Sequence, residues 1–231
     1  MIAFNNRTSD EFRVFVEAYP GRVIPARKIE VVSVPGRNGD IIFPQDAFDN
    51  YDQTYSIYVS AAEPALHNIA GKIIEWLAQS GYKRLEDSYD PEIYRMAYYT
   101  GGTEIESFFD EFGRAEITFN CMPQRWLKHG ERAINIPNGG KLRNPTEYPA
   151  KPLIKVTGSG NGSITVGGKT VTLTGISAYL MIDSETMNCY KGTANENSKM
   201  SGTFPELSGE SQITWTGGIT AVEITPRWYM I

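Results

Sequence analysis

Side chains able to do acid–base, nucleophilic or metal chemistry are few in this chain and badly spaced for it. Two acidic pairs stand out, "DSE" at Asp183 to Glu185 and "FFDEF" at Phe108 to Phe112. A glycosidase needs two carboxyl groups across a cleft, one to protonate the leaving oxygen and one to attack or to activate water. Neighbouring acids are also ordinary turn residues, and their spacing along the chain says nothing about a distance across a cleft. His67 and His129 lie in unrelated contexts with no Cys or His at ligand spacing, which argues against zinc. No Gly-x-Ser-x-Gly elbow supplies a nucleophile for a Ser-His-Asp triad. Cys121 and Cys189 are far apart and read as buried free thiols, not as a disulfide framework. No catalytic residue, cofactor or metal is therefore expected, and the chain reads as a non-enzyme.

A second kind of chemistry is anion binding, and "VPGRNGD", Val34 to Asp40, is the stretch that raises it. Glycines let main-chain N–H groups converge on a phosphate, but they also permit the left-handed backbone of a tight turn. A nucleotide loop must open a helix and end in Gly-Lys-Ser/Thr. Here the flanks are "KIEVVSV" and "DIIF", rich in the β-branched and aromatic residues of strands. The stretch is read as a hairpin tip formed by Pro35, Gly36, Arg37, Asn38 and Gly39. Arg37 is then either a solvated charge or a contact with a neighbouring chain.

The elements around these residues are mostly strands. The 231 residues include 22 glycines, 13 prolines and 13 tyrosines, a composition that leans to all-β or α+β. Val14 and Val16, with Phe12 before them, alternate with polar neighbours, as do Tyr55, Ile57 and Val59 in "QTYSIYVS" and Ala115 to Cys121 in "RAEITFNC". One segment changes period. Pro64 to Ser80 places Leu66, Ile69, Ala70, Ile73, Ile74 and Leu77 three and four apart, which predicts a single amphipathic helix with Pro64 in its first turn and Gly81 as its cap. His67 falls on its solvent side. Such a helix should pack across a sheet.

Residues 1–136 are expected to form one domain, 137–152 a linker because of four prolines and two glycines, and 153–231 a second, all-β domain. In the latter, "SITVGGKTVTL" is a hairpin turning at Gly167-Gly168, and further short strands suggest a sandwich or jelly roll. Tyr179, Tyr190, Trp215, Trp228 and Tyr229 crowd this domain, so aromatic faces for a sugar are conceivable there, with core filling the use assigned to Trp215. The net charge is −5, and the excess lies wholly before residue 137, where 14 basic residues face 20 acidic ones. A chain of that sign does not attract nucleic acid. No apolar stretch approaches the roughly 18 residues of a membrane span, and synthesis in the cytoplasm without membrane insertion is expected.

In order along the chain, "VPGRNGDI", "LAQSGYKRLEDSYDPEIYRMAYY", "ITFNCMPQRW", "YPAKPLIKVTGSG", "ITVGGKTVTL", "YLMIDSETMNCYKG", "FPELSGESQITWTG" and "VEITPRWYMI" resemble the distal tail protein family of long-tailed phages. That resemblance implies a mainly β chain: an N-terminal β-sandwich with a helix and a long hairpin, and a C-terminal galectin-like β-sandwich. It implies a hexameric ring at the tail tip in the virion, joining the tail tube protein to the tail-associated fibre and receptor-binding proteins. DNA would pass the bore without specific binding. Arg37 becomes a candidate inter-subunit or tube-facing salt bridge. The alternative reading is a glycan-binding module that touches the host wall through Trp228 or Tyr229.

Overall fold

Alternating burial along Tyr51–Val59 turns Tyr51, Gln53, Tyr55, Ile57 and Val59 inward and leaves the intervening side chains at or near the surface. Its antiparallel partner Phe112–Leu127 sets Ile117 opposite Tyr55 and Ala115 opposite Ile57, so the apolar faces coincide. The computed structural model describes the chain except residues 19, 61–64, 105 and 109–111, and describes only the backbone of 65–67, 106–108 and 112. The expectations for Pro64, Leu66, His67 and the acids of "FFDEF" lie outside the residues so described. The fold is mainly β, with one α-helix among the described residues.

The chain divides into two compact units, Met1–Arg125 with Ile231, and Trp126–Met230. In the first, strands follow the order Arg7–Thr8, Ile2–Phe4, Lys83–Asp87, Ile93–Tyr99, Phe112–Leu127, Tyr51–Val59, Val14–Val16. The helix Ala65–Leu77 closes its core, with Ile73, Trp76 and Leu77 buried beside Phe4, Phe12, Tyr55 and Phe119. Two details correct the expected stripe. Ile74 is 64% exposed, and Trp76, outside that stripe, stacks on Phe12 at 4.8 Å and donates its indole N–H to Phe4 O at 3.1 Å. Ile73, Trp76 and Leu77 are spaced three and four apart, and Ile74 sits about 100° around the axis from Ile73. The helix also ends at Leu77, so Gly81, at φ +69°, serves the turn into Lys83–Asp87 and not the helix cap.

The second unit is built on three long strands, Leu153–Val166, Lys169–Asp183 and Glu210–Thr225, paired antiparallel with Leu153–Val166 in the middle. Each is interrupted by glycine. A Cβ on Gly218 would lie 1.7 Å from Ser159 O, and one on Gly158 would lie 2.2 Å from Gly218 O, so neither position has room for any side chain. Register shifts there change the parity of the buried residues. Ile213 gives way to Val222 and Ile224, and Val171 and Leu173 give way to Leu180 and Ile182, so one face stays inward along the whole strand.

The segment 137–152 is not a free linker, and the division between units falls at Arg125, ahead of residue 136. Lys141–Arg143 pairs with Glu210–Gln212, and the Asn138 side chain bonds both backbone groups of Trp215 at 2.9 Å. Buried Asn144 donates to Tyr148 O and Leu207 O. Proline and glycine break the repeat of a strand without preventing its packing, because side-chain amides and a strand edge satisfy the backbone.

Candidate functional site: an exposed apolar arm

Arg27–Val32 and Ile41–Phe48 pair antiparallel with each other and, among the described residues, with nothing else. Every residue from Ala26 to Asp40 is exposed. The hairpin expected at "VPGRNGD" is therefore present, as an arm standing off the first unit's sheet. Its tip begins with a turn in which the Arg37 N–H donates to Val34 O at 3.1 Å. Pro35 occupies the second position and Gly36, at φ +82°, the third, the arrangement of a type II turn. No described residue comes within 4 Å of where a Cβ on Gly36 or Gly39 would be, and what these glycines supply is the left-handed backbone of the turn.

The arm's surface is unusual for an isolated ribbon. Ile29, Val31, Ile42 and Phe43 are between 47% and 59% exposed, and Val32 and Val34 also face solvent. A two-stranded ribbon is marginal by itself in water. Contiguous exposed apolar surface on such an element marks a contact. Three of the arm's six charges pair locally, Arg27 with Asp46 at 3.9 Å and Lys28 with Asp49, just past the arm, at 3.6 Å. Arg37 has no ion pair among the described residues.

The segment leading into the arm is tied to the first unit by hydrogen bonds and an ion pair. Gln53 Nε2 donates to Gly21 O at 3.1 Å, Arg125 Nη2 donates to Val23 O, and Arg22 pairs with Asp90 at 3.6 Å. Behind them lies a buried network. Arg95 donates to Asp87 Oδ2 at 3.0 Å, to Tyr51 OH at 3.1 Å and to Asp90 at 3.3 Å. Tyr55 OH donates to Asp87 Oδ2 at 2.9 Å, and the backbone N–H groups of Tyr89 and Asp90 donate to Asp87 Oδ1. Burial first, and then the Asp87 carboxylate, push the Tyr55 hydroxyl far above its ordinary value, so it stays a proton donor. The cavity beside this network measures about 30 Å³, room for a single water and too little for a substrate.

The remaining sequence-derived residues are dispersed. Trp228 is 3% exposed, packed on Gly130, so its ring has no open face for a sugar. Tyr229 is half-buried between Trp126 at 5.2 Å and Tyr148 at 5.8 Å. Trp215 is half-buried, not a core side chain. Its direct pairing with buried Ile164 keeps it on the face of Ile213, but its side chain is only partly covered there. Asp183 accepts from Arg227 at 2.6 and 3.1 Å and from the Glu185 and Thr186 N–H groups, and so holds a turn. Cys121 and Cys189 are free and buried, and burial pushes the Cys121 thiol up to about 12. Among the described residues no group of three potential ligands could hold a metal, and no helix is long and apolar enough to cross a membrane. The network of Arg95 and Asp87 escaped sequence reasoning, since its members come from separate strands.

Compared with known families and with curated proteins, the sequence matches none. The fold does have a counterpart. It is similar to the crystal structure of the Dit (gp 19.1) protein of phage SPP1, described as a paradigm of hub adsorption apparatus in phages infecting Gram-positive bacteria. The TM-score is 0.81 at 11% sequence identity, over 100% of this chain and 98% of the other. The two chains share a fold from end to end.

Proposed function

We propose that this chain is the structural hub of a long-tailed phage tail tip. Its first unit forms a ring, with the arm tip Pro35 to Gly39 at the interface between copies or with the tail tube protein. The assembly joins the tube to the tail-associated fibre and receptor-binding proteins. Six copies, as in the family it resembles, would surround a bore through which DNA leaves without sequence-specific contact. The chain would be made in the host cytoplasm and reside in the virion. Its role would be assembly and not catalysis.

The observation that carries this reading is a full-length likeness to a hub protein together with an apolar arm that no described residue covers. Closure into a ring removes open β edges and buries such surface, the usual solution for a symmetric oligomer. The acidic excess of the first unit is consistent with a conduit that does not grip phosphates, because retention of DNA needs a surplus of cations.

Size-exclusion chromatography with light scattering tests it. The expected species has six times the chain mass of 25.8 kDa, alone or after addition of tube and tip proteins. A strictly monomeric chain under both conditions contradicts the reading.

A further inference from the structure

Asn-Gly occurs three times in this chain, at Asn38-Gly39, Asn138-Gly139 and Asn161-Gly162. It is the dipeptide in which asparagine is chemically least durable, because a glycine without a Cβ lets its own backbone nitrogen swing onto the preceding side-chain carbonyl. All three asparagines are exposed, so access to water does not tell them apart. Their hydrogen bonds do.

Asn138 is locked at both reacting ends. Its side chain donates to Trp215 O and accepts from the Trp215 N–H, each at 2.9 Å, while the Gly139 N–H donates to Ile213 O at 2.9 Å. Asn161 is held through Oδ1, which accepts from the Gly175 N–H at 2.9 Å, and Gly162 lies in the central strand, paired with Leu173 and Gly217. A Cβ on Gly162 would come 2.7 Å from Thr216 O, which shows how closely the neighbouring strand packs there. Asn38 is different. It stands in the bend between the turn at Pro35-Gly36 and the strand that starts at Ile41. Among the described residues, neither its side chain nor the Gly39 N–H has a hydrogen-bond partner, and no described atom lies within 4 Å of where a Cβ on Gly39 would be.

We propose that Asn38 is a site of spontaneous deamidation, with water as the only co-reactant, while Asn138 and Asn161 are protected by the fold. Hydroxide takes the Gly39 N–H proton, the nitrogen bonds to Asn38 Cγ, and the side-chain amide nitrogen leaves as ammonia with a proton from water, closing a succinimide. Water then opens the ring. Attack at Cγ breaks its bond to the Gly39 nitrogen and gives aspartate. Attack at the main-chain carbonyl carbon breaks the original peptide bond and gives isoaspartate, with one more methylene in the backbone. Nothing is oxidised or reduced. Either product adds a negative charge near Asp40, at the tip of an arm whose formal charges, three basic and three acidic over Arg27–Phe48, otherwise cancel. The inference stands on this local chemistry and is independent of the ring reading.

The full folded chain, incubated at mildly alkaline pH in heavy-oxygen water and then digested at acid pH, tests this by peptide mass spectrometry. Only a site hydrolysed during the incubation gains the label. Asn38 should be labelled at least about tenfold faster than Asn138 or Asn161, since each hydrogen bond that must break before ring closure adds to the barrier. Raising the pH should speed the labelling, because hydroxide starts the step. In concentrated urea the three sites should converge, which assigns the difference to the fold. Asn38→Gln, which would have to close a larger ring, should leave its peptide unlabelled without moving the thermal midpoint. Asn38 left intact while a free peptide of the sequence Val34 to Asp40 converts, or equal rates at the three sites in the folded chain, overturns the proposal. So does a spread of rates that persists unchanged in urea, since sequence context and not hydrogen bonding would then set it.

Discussion

Two hairpins in this molecule use the same kinds of residue to opposite ends. In the second unit, Ile164, Val166, Val171 and Leu173 flank Gly167 and Gly168 and are wholly buried. In the arm, Ile29, Val31, Ile42 and Phe43 flank the turn at Pro35 and Gly36 and are about half exposed. What differs is the pattern between apolar positions. The buried hairpin interleaves Thr165, Thr170 and Thr172, which face outward or pair across the strands, whereas the arm runs Val31-Val32 and Ile41-Ile42-Phe43 without interruption. A hairpin that covers one side of its own chain's core needs one apolar face. Apolar residues on both faces point to a partner.

Matched substitutions make the contrast measurable. Val171→Asp would place an unpaired carboxylate in the second unit's core and should cost more than about 4 kcal/mol in urea unfolding, enough to threaten that unit's folding. Arg95→Leu comes next. It strands the buried Asp87 carboxylate behind the arm's root and should remove about 3–5 kcal/mol from the first unit's transition. Gly218→Ala drives a methyl into Ser159 O and must push the paired strands apart, at a cost of about 3 kcal/mol, while Gly36→Ala meets no neighbour and strains only its own backbone, by about 1 kcal/mol.

A smaller, pH-dependent effect separates the units. Burial raises the Asp183 carboxyl, but the Arg227 guanidinium and two backbone N–H groups outweigh it, leaving the group below its ordinary 3.8. A folded-state value below the unfolded one gives stability that is complete above the unfolded value and is lost as pH falls through the folded one. Asp183→Asn should therefore cost about 1–2 kcal/mol near neutrality and flatten the second unit's acid sensitivity below about pH 4. The smallest change is the most telling. In the unassembled chain, Val31→Asp should leave unfolding within about 0.5 kcal/mol of the parent, because there the arm's apolar surface is already in water.

Legibility followed locality. The tip at Val34 to Asp40, the faces of Tyr51–Val59 and the hairpin at Gly167-Gly168 could be read because turn chemistry and two-residue alternation act within a few residues. Features set by distant partners could not. The packing of 137–152 depends on the edge of Glu210–Thr225, the burial of Trp228 depends on Gly130, and the mount under the arm joins Asp87, Arg95 and Tyr55 from three strands. Trp76 is hidden for a different reason: an apolar stripe through Ile74 points about 160° around the helix from where the indole meets Phe12 and Phe4 O. The arm itself was visible as a hairpin, but its isolation from the sheet was not.

Amide hydrogen exchange on the full chain, alone and with tail-tube and tail-tip proteins added, tests the proposed assembly most directly. The ribbon Arg27–Val32 and Ile41–Phe48 should exchange quickly in the free chain and become strongly protected in the assembly, while Lys169–Asp183 is unchanged. Equal, rapid exchange of the arm in both states would contradict the proposal that this arm mediates assembly.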